Sequence, residues 1–160
     1  MAATGGATSA LLHLLAIAHK CGASLDLEIL AAIRAPTPLI ADPRPGGRHL
    51  IRELNKAGGM PVVMRVLLDA GYLHGDCLTI TGNSLATNLD GINCAEDHQV
   101  IRPVGQPVDE RRGLGILAGI LAPDGAFGCF NCSDQMADHQ PYVGNARCFD
   151  SADAALAIVQ

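Results

Sequence analysis

The stretch from Pro61 to Asn88, PVVMRVLLDAGYLHGDCLTITGNSLATN, constrains this chain most. It reads as a helix, a tight turn, a short strand, a second turn and a short helix. Pro61 suits a helix's first position, where its missing N–H costs nothing. Val62, Val63, Val66, Leu67 and Ala70 recur at helical spacing and make one apolar stripe. Gly71 can take positive φ and so closes the helix. Cys77 to Ile80 is short and β-prone, and Thr81-Gly82-Asn83 is a turn. So densely specified a helix–strand joint predicts that the rest of the chain packs around it.

Composition narrows the partners. The 160 residues suit one domain or a piece of a larger one, and 49% are apolar, enough for a core. With no Trp, three Phe and two Tyr, that core is aliphatic. Stacking on nucleic acid needs aromatics, and gripping its backbone needs excess Lys and Arg. The net charge is −5, so no nucleic-acid partner is expected. No apolar run is long enough to cross a bilayer. His13 interrupts Leu11 to Ala18, and no basic leader precedes it, so neither a membrane span nor a signal peptide is expected. Six cysteines scattered through a chain with its own core point to reduced thiols and a cytoplasmic setting.

Taken in order, Thr4-Gly5-Gly6-Ala7-Thr8-Ser9 leads into a helix over Ala10 to Lys20, with Leu11, Leu14, Leu15 and Ala18 on one face. Thr8 or Ser9 is the natural N-cap and Gly22 the stop. The turn at Gly5, Gly6 and Thr8 has two readings. It is a plain cap, or it turns backbone N–H groups toward an anionic ligand at the positive end of the helix. A second helix starts at Ser24-Leu25-Asp26 and runs to Arg34, burying Leu27, Leu30, Ala31 and Ile33. Pro36 and Pro38 end it. In the Pro/Gly-rich connection Leu39 to Arg48, Arg44 and Arg48 either hold a carboxylate or phosphate or are simply solvated. His49 to Lys56 is a third helix, stopped by Gly58-Gly59.

Beyond Asp90 the texture changes. Asp90 to Gln99 is polar and loop-like, and Val100 to Val104 reads as a strand. Leu114 to Leu121 and Ala126 to Phe130 read as a hairpin around Pro123-Asp124-Gly125, where Pro presets φ and Gly accepts positive φ. Asn145 to Phe149 reads as a strand, and Asp150-Ser151 caps a last helix, Ala152 to Val159. The expected class is α/β: a helix-rich segment over residues 1–90, then a β-rich segment over 91–160.

Two constellations invite chemistry. Cys129-Phe130-Asn131-Cys132 is the one C-x-x-C. It could serve a thiol couple or half a metal site, or be two small residues in a loop. No second close pair completes four ligands, so no metal ligand is assigned. His74, Asp76 and Cys77 lie close in sequence, but neighbouring extended residues point to opposite faces. Cys77 is expected to pack beside Leu78, Asp76 to brace the turn, and His13 to be a satisfied structural histidine.

His74-Gly75-Asp76-Cys77-Leu78-Thr79-Ile80-Thr81-Gly82 resembles the dihydroxy-acid and phosphogluconate dehydratase family. Gly5-Gly6-Ala7-Thr8-Ser9 before Leu12-His13-Leu14, Pro38-Leu39-Ile40-Ala41-Asp42, Gly58-Gly59-Met60-Pro61, Ile101-Arg102-Pro103 and Ala122-Pro123-Asp124-Gly125 follow in the family's order. The Cys-Leu-Thr after His-Gly-Asp is more similar to dihydroxy-acid and sugar-acid dehydratases. The resemblance implies dehydration of a small vicinal dihydroxy acid to a 2-keto acid. It also implies an iron–sulfur cluster as Lewis acid, Mg2+ on the carboxylate side, a serine base and a homodimer. It further implies that the cluster cysteines and most magnesium ligands precede the Gly-Gly motif, while the serine follows the last helix. The chain then corresponds to a middle segment, spanning the end of a cluster-binding α/β domain and the start of a β-barrel domain. On that reading it is inactive alone and carries no catalytic residue. Ala7 and Ser9 depart from the family's Ser and Asn. A non-catalytic subunit of a split enzyme, and a small thiol protein built on Cys129 and Cys132, are the other readings.

Overall fold

The computed structural model describes residues 1–6, 8–44, 47–93, 99–108, 113–130 and 143–159. A 3₁₀ turn, Ala2–Thr4, opens the chain. There follow α1 (Ser9–Cys21), α2 (Leu27–Arg34), α3 (Ile51–Lys56), α4 (Gly59–Asp69) and α5 (Leu85–Asn88). The hairpin strands β1 (Gly113–Gly119) and β2 (Ala122–Phe130) come next, and α6 (Ala152–Val159) is last.

Local signals explain several helix ends. Gly22 adopts φ 67° and donates back to Ala18 and His19 carbonyls, closing α1. Asp26 caps α2 by accepting from the Ile29 N–H at 2.8 Å. Glu53 accepts from the Leu50 N–H at 2.7 Å and so anchors the start of α3. Gly71 at φ 78° ends α4, and Tyr72 N–H reaches back to Leu67 O at 2.8 Å. Of the expected stripe on α4, Val62, Val63 and Leu67 are buried and Val66 is half-buried, whereas Ala70, at the helix end, is exposed. Helix α4 starts earlier than expected, at Gly59, so Pro61 is its third residue. Proline is tolerated there because first-turn N–H groups have no intrahelical partner.

The core forms around an extended thread, Leu39 to Asp42. Ile40 and Ala41 N–H groups donate to Ala3 O at 2.9 and 3.2 Å, and Ile40 O accepts from Arg102 N–H at 2.8 Å. Val108 N–H donates to Leu39 O at 2.8 Å. The thread is thus clasped between the first turn and the 101–108 loop. Ile40 and Ala41 of the thread join Ala3, Leu54, Val62, Val63, Leu67 and Ile101 in one cluster.

Several expected elements are not formed. Cys77 to Ile80 makes only an isolated bridge, Leu78 to Ser84, rather than a strand. No strand among the described residues lies beside it, and Leu78 and Ile80 are exposed. Val100 to Val104 is irregular, because Pro103 has no donor and one bond to Ile40 takes up Arg102 N–H. Asn145 to Phe149 has no strand pairing among the described residues either. The hairpin is present, but its tip is Ile120-Leu121, with Gly119 opposite Ala122. Pro123-Asp124-Gly125 therefore lies inside β2, where Gly125 takes φ 88° and the pairing slips near Leu117 to Gly119. Helix α2 buries none of its residues, and Ile33 is 54% exposed. The class is mixed helix with a two-stranded antiparallel sheet, compatible with α/β.

Candidate functional site

Three features carry polar groups to defined positions. The first is the turn ahead of α1. Gly5 has φ 58°, and a Cβ on it would sit 3.4 Å from Leu39 Cδ1, so the turn rests on the core thread. Gly6 N–H donates to Met1 O at 3.3 Å. Thr8 is the N-cap by position, yet its side chain makes no capping hydrogen bond. Burial strips water from the α-amino group of Met1 and lowers its pKa.

The second feature was not singled out from sequence. Asp42 ends the apolar run Leu39-Ile40-Ala41, and it is buried, at 4% exposure. Its Oδ2 accepts from Arg48 Nε at 2.9 Å. Its Oδ1 has no hydrogen-bond partner among the described residues, and His49 Nε2 stands 3.8 Å away. The other ring nitrogen of His49 is 3.8 Å from Glu53. The carboxylate that Arg48 holds is thus the chain's own. Arg48→Gln should lower stability by about 1–3 kcal/mol, because it leaves a buried carboxylate short of a partner. The low end is expected, since the Arg48 side chain is 44% exposed. Urea titration would measure it, and Asp42→Asn in the same background should restore part of the loss. A loss of similar size in both backgrounds would sink this account.

The third feature is the loop His74 to Asn88. Asn88 Nδ2 donates to Thr79 Oγ1 at 2.6 Å, and Thr81 Oγ1 donates to Asn88 Oδ1 at 2.9 Å. Thr79 Oγ1 also donates to Asn83 O at 2.9 Å, so side chains and backbone together lace the loop. Gly75 is closely packed: a Cβ there would meet Leu68 at 3.1 Å and Ala86 at 3.2 Å. Ala86 N–H donates to Gly75 O at 2.8 Å, tying α5 to the end of α4. Arg65 Nη1 adds a bond to Leu89 O at 3.2 Å. Cys77 is exposed rather than packed beside Leu78, and Asp76 and His74 are on the surface side of the turn too. His13 is likewise on the surface of α1, not in the core. No hydrogen bond joins the side chains of His74, Asp76 and Cys77 to one another.

The described residues do not fit an iron–sulfur cluster or a magnesium ion. No group of three or more His, Cys, Asp or Glu able to hold a metal occurs among them. Cys21, Cys77 and Cys148 are each free and exposed. Cys129 lies in β2 opposite Leu114, and Cys132 lies outside the described residues, as does Cys94. No helix among the described residues is long and apolar enough to cross a membrane.

Comparison with known proteins gives these features a context. The family model described as dihydroxy-acid/6-phosphogluconate dehydratase N-terminal matches residues 1–88. The chain is similar to the dihydroxy-acid dehydratase of Parvibaculum lavamentivorans, 47% identical over 153 residues, covering 96% of this chain and 26% of the relative. It is 48% identical over 155 residues to the dihydroxy-acid dehydratase of Mycobacterium leprae, covering 96% of this chain and 27% of that one. It is 42% identical over 164 residues to dihydroxy-acid dehydratase 2 of Bradyrhizobium diazoefficiens, covering 100% and 27%. The chain spans about a quarter of the length of the curated relatives it matches.

Proposed function

Because the chain belongs to the dihydroxy-acid/6-phosphogluconate dehydratase family, we propose that it is a working segment of a hydro-lyase that converts a 2,3-dihydroxy acid to a 2-keto acid. The observation that carries this is identity of 42–48% over nearly the whole chain to proteins named dihydroxy-acid dehydratase. These relatives carry that name rather than a sugar-acid one, which favours the branched-chain biosynthetic activity over an aldonate dehydratase. The substrate is a small dihydroxy acid, and the full assembly is a cytoplasmic homodimer.

The role of this segment is positional. Residues 1–90 form the helix-rich part of an α/β domain, and 91–160 begin a β-rich, barrel-like domain. The end of the family match at residue 88 supports that division. The turn at Gly5, Gly6 and Thr8 receives an anionic group of the ligand at the N-terminus of α1. The uncommitted capping role of the Thr8 side chain supports this. An iron–sulfur cluster and Mg2+ belong to the proposed whole enzyme, with their ligands assigned outside this segment.

Two assays test the reading. The isolated 160-residue chain, supplied with iron, sulfide and magnesium, should form no 2-keto acid from a 2,3-dihydroxy acid. Grafted into one of the relatives above in place of its matching segment, the same chain should leave a dehydratase with measurable turnover. A folded, cofactor-loaded chimera without turnover would overturn the proposal and favour a non-catalytic binding module.

A further inference from the structure

A cavity of about 350 Å³ lies under the first turn, between α1, α2 and the end of α4. That size is within the range of small-ligand sites, about 300–1,000 Å³. Leu11, Leu14, Leu30, Ile33 and Leu67 give it hydrocarbon walls. Arg34, Thr37 and Tyr72 line it as well, and these three also line a second cavity of about 510 Å³, continued by Gly105 and Pro107. The apolar and the more polar spaces therefore share one wall, which carries a guanidinium and two hydroxyls.

We propose that this pair of cavities binds a short-chain aliphatic monocarboxylate, its tail among the leucines and its carboxylate at Arg34. Charge decides the head group. Arg34 is the one charged side chain lining either cavity among the described residues, and it is a cation. A guanidinium pairs with a carboxylate through charge-assisted, geometrically matched hydrogen bonds. Its Nη1 makes a long hydrogen bond to Thr37 O, at 3.4 Å. The five N–H donors of a guanidinium serve several acceptors at once, so a ligand carboxylate adds to the bonds Arg34 already makes. Thr37 Oγ1 donates to Ile33 O at 2.6 Å, which leaves its lone pairs as acceptors or water anchors at the shared wall. Ile33 and Tyr72, at the edge of the cavity, are 54% and 39% exposed within this chain. Shape decides the tail: the aliphatic walls gain from burying hydrocarbon. None of Gly5, Gly6 and Thr8, the turn proposed for the dehydratase ligand, lines either cavity.

Hexanoate and 1-hexanol, which share a tail length but differ in charge, make the test. Binding to the full chain is followed by methyl NMR and calorimetry, with circular dichroism reporting the fold. Hexanoate should bind saturably and shift the methyl signals of Leu30, Ile33 and Leu67. Arg34→Gln should weaken hexanoate by about tenfold or more while changing 1-hexanol by less than about twofold. Leu30→Phe, which fills the tail space, should weaken both. Absence of saturable hexanoate binding to the folded chain overturns the proposal. So does equal weakening of both probes by Arg34→Gln, or perturbation confined to methyls elsewhere. Turnover plays no part in these readouts, so their failure would leave the dehydratase reading as it stands.

Discussion

Ile40→Ala is expected to destabilise the chain by about 2–5 kcal/mol, the range for deleting most of a large aliphatic side chain inside a packed core. Ile40 is 0% exposed and belongs to the main cluster. It is held from both sides, by Ala3 through its N–H and by Arg102 through its carbonyl. Those backbone bonds limit how far the thread can move to fill the space left behind. A poorly collapsing site falls toward the upper end of the range. Ile40→Val should cost much less, about 0.5–1.5 kcal/mol. Guanidinium titration followed by circular dichroism measures both. Equal, small losses would show that the thread is not the centre of the core.

Gly58→Ala is expected to cost about 2–4 kcal/mol, from two sources that act together. Gly58 adopts φ 106°, which residues bearing a Cβ rarely take. A Cβ there would also crowd Val62 Cγ2. Val62 is buried at 4% exposure, so its methyl has nowhere to swing without displacing the cluster. Gly22 supplies the control. It has φ 67°, but no described atom lies within 4 Å of where an alanine methyl would sit. Gly22→Ala therefore carries only the conformational cost, about 1–2 kcal/mol. If the two variants melted at the same temperature, the contact with Val62 would have no energetic weight.

The parts of the fold that can be read from sequence are those specified within a few residues. Asp26 caps α2 because its carboxylate reaches the Ile29 N–H. Gly22 and Gly71 end helices because they alone among their neighbours accept positive φ cheaply. The stripe on α4 is buried because Val62, Val63 and Leu67 share a face. What cannot be read depends on distant residues. Cys77 to Ile80 has β propensity, but a strand needs a partner along its edge, and propensity does not supply one. Pro123-Asp124-Gly125 has turn chemistry, yet the pairing of Gly119 with Ala122 places the reversal ahead of it, at Ile120-Leu121. Helix α2 has an apolar side, but nothing among the described residues covers Ile33 fully.

The candidate site divides in the same way. The glycine turn ahead of α1 is visible as Gly5-Gly6 followed by Thr8 at the N-cap position, although the capping hydrogen bond that Thr8 suggests is not made. Arg48 is visible as a cation in a loop, while its partner is not. Asp42 looks like the polar end of an apolar run, and only the clasp by Ala3 and Arg102 around its neighbours explains its burial. The sequence signal that could have exposed it is the short spacing from Asp42 to Arg48, which lets one loop close on its own ion pair.

The clasp around Leu39 to Asp42 also imposes an order on the ribosome. Ala3 and Ile40 emerge first and can pair as soon as both are free. The opposite side of the thread must wait for Arg102 and Val108, which donate to Ile40 and Leu39. Ile101, which belongs to the same cluster, arrives with them. Until then Val63 and Leu67 face an incomplete wall, in a nascent chain lengthening by about 5–20 residues each second. A growing polypeptide of this kind exposes hydrocarbon for seconds, long enough for a chaperone to hold it before its last clasp closes.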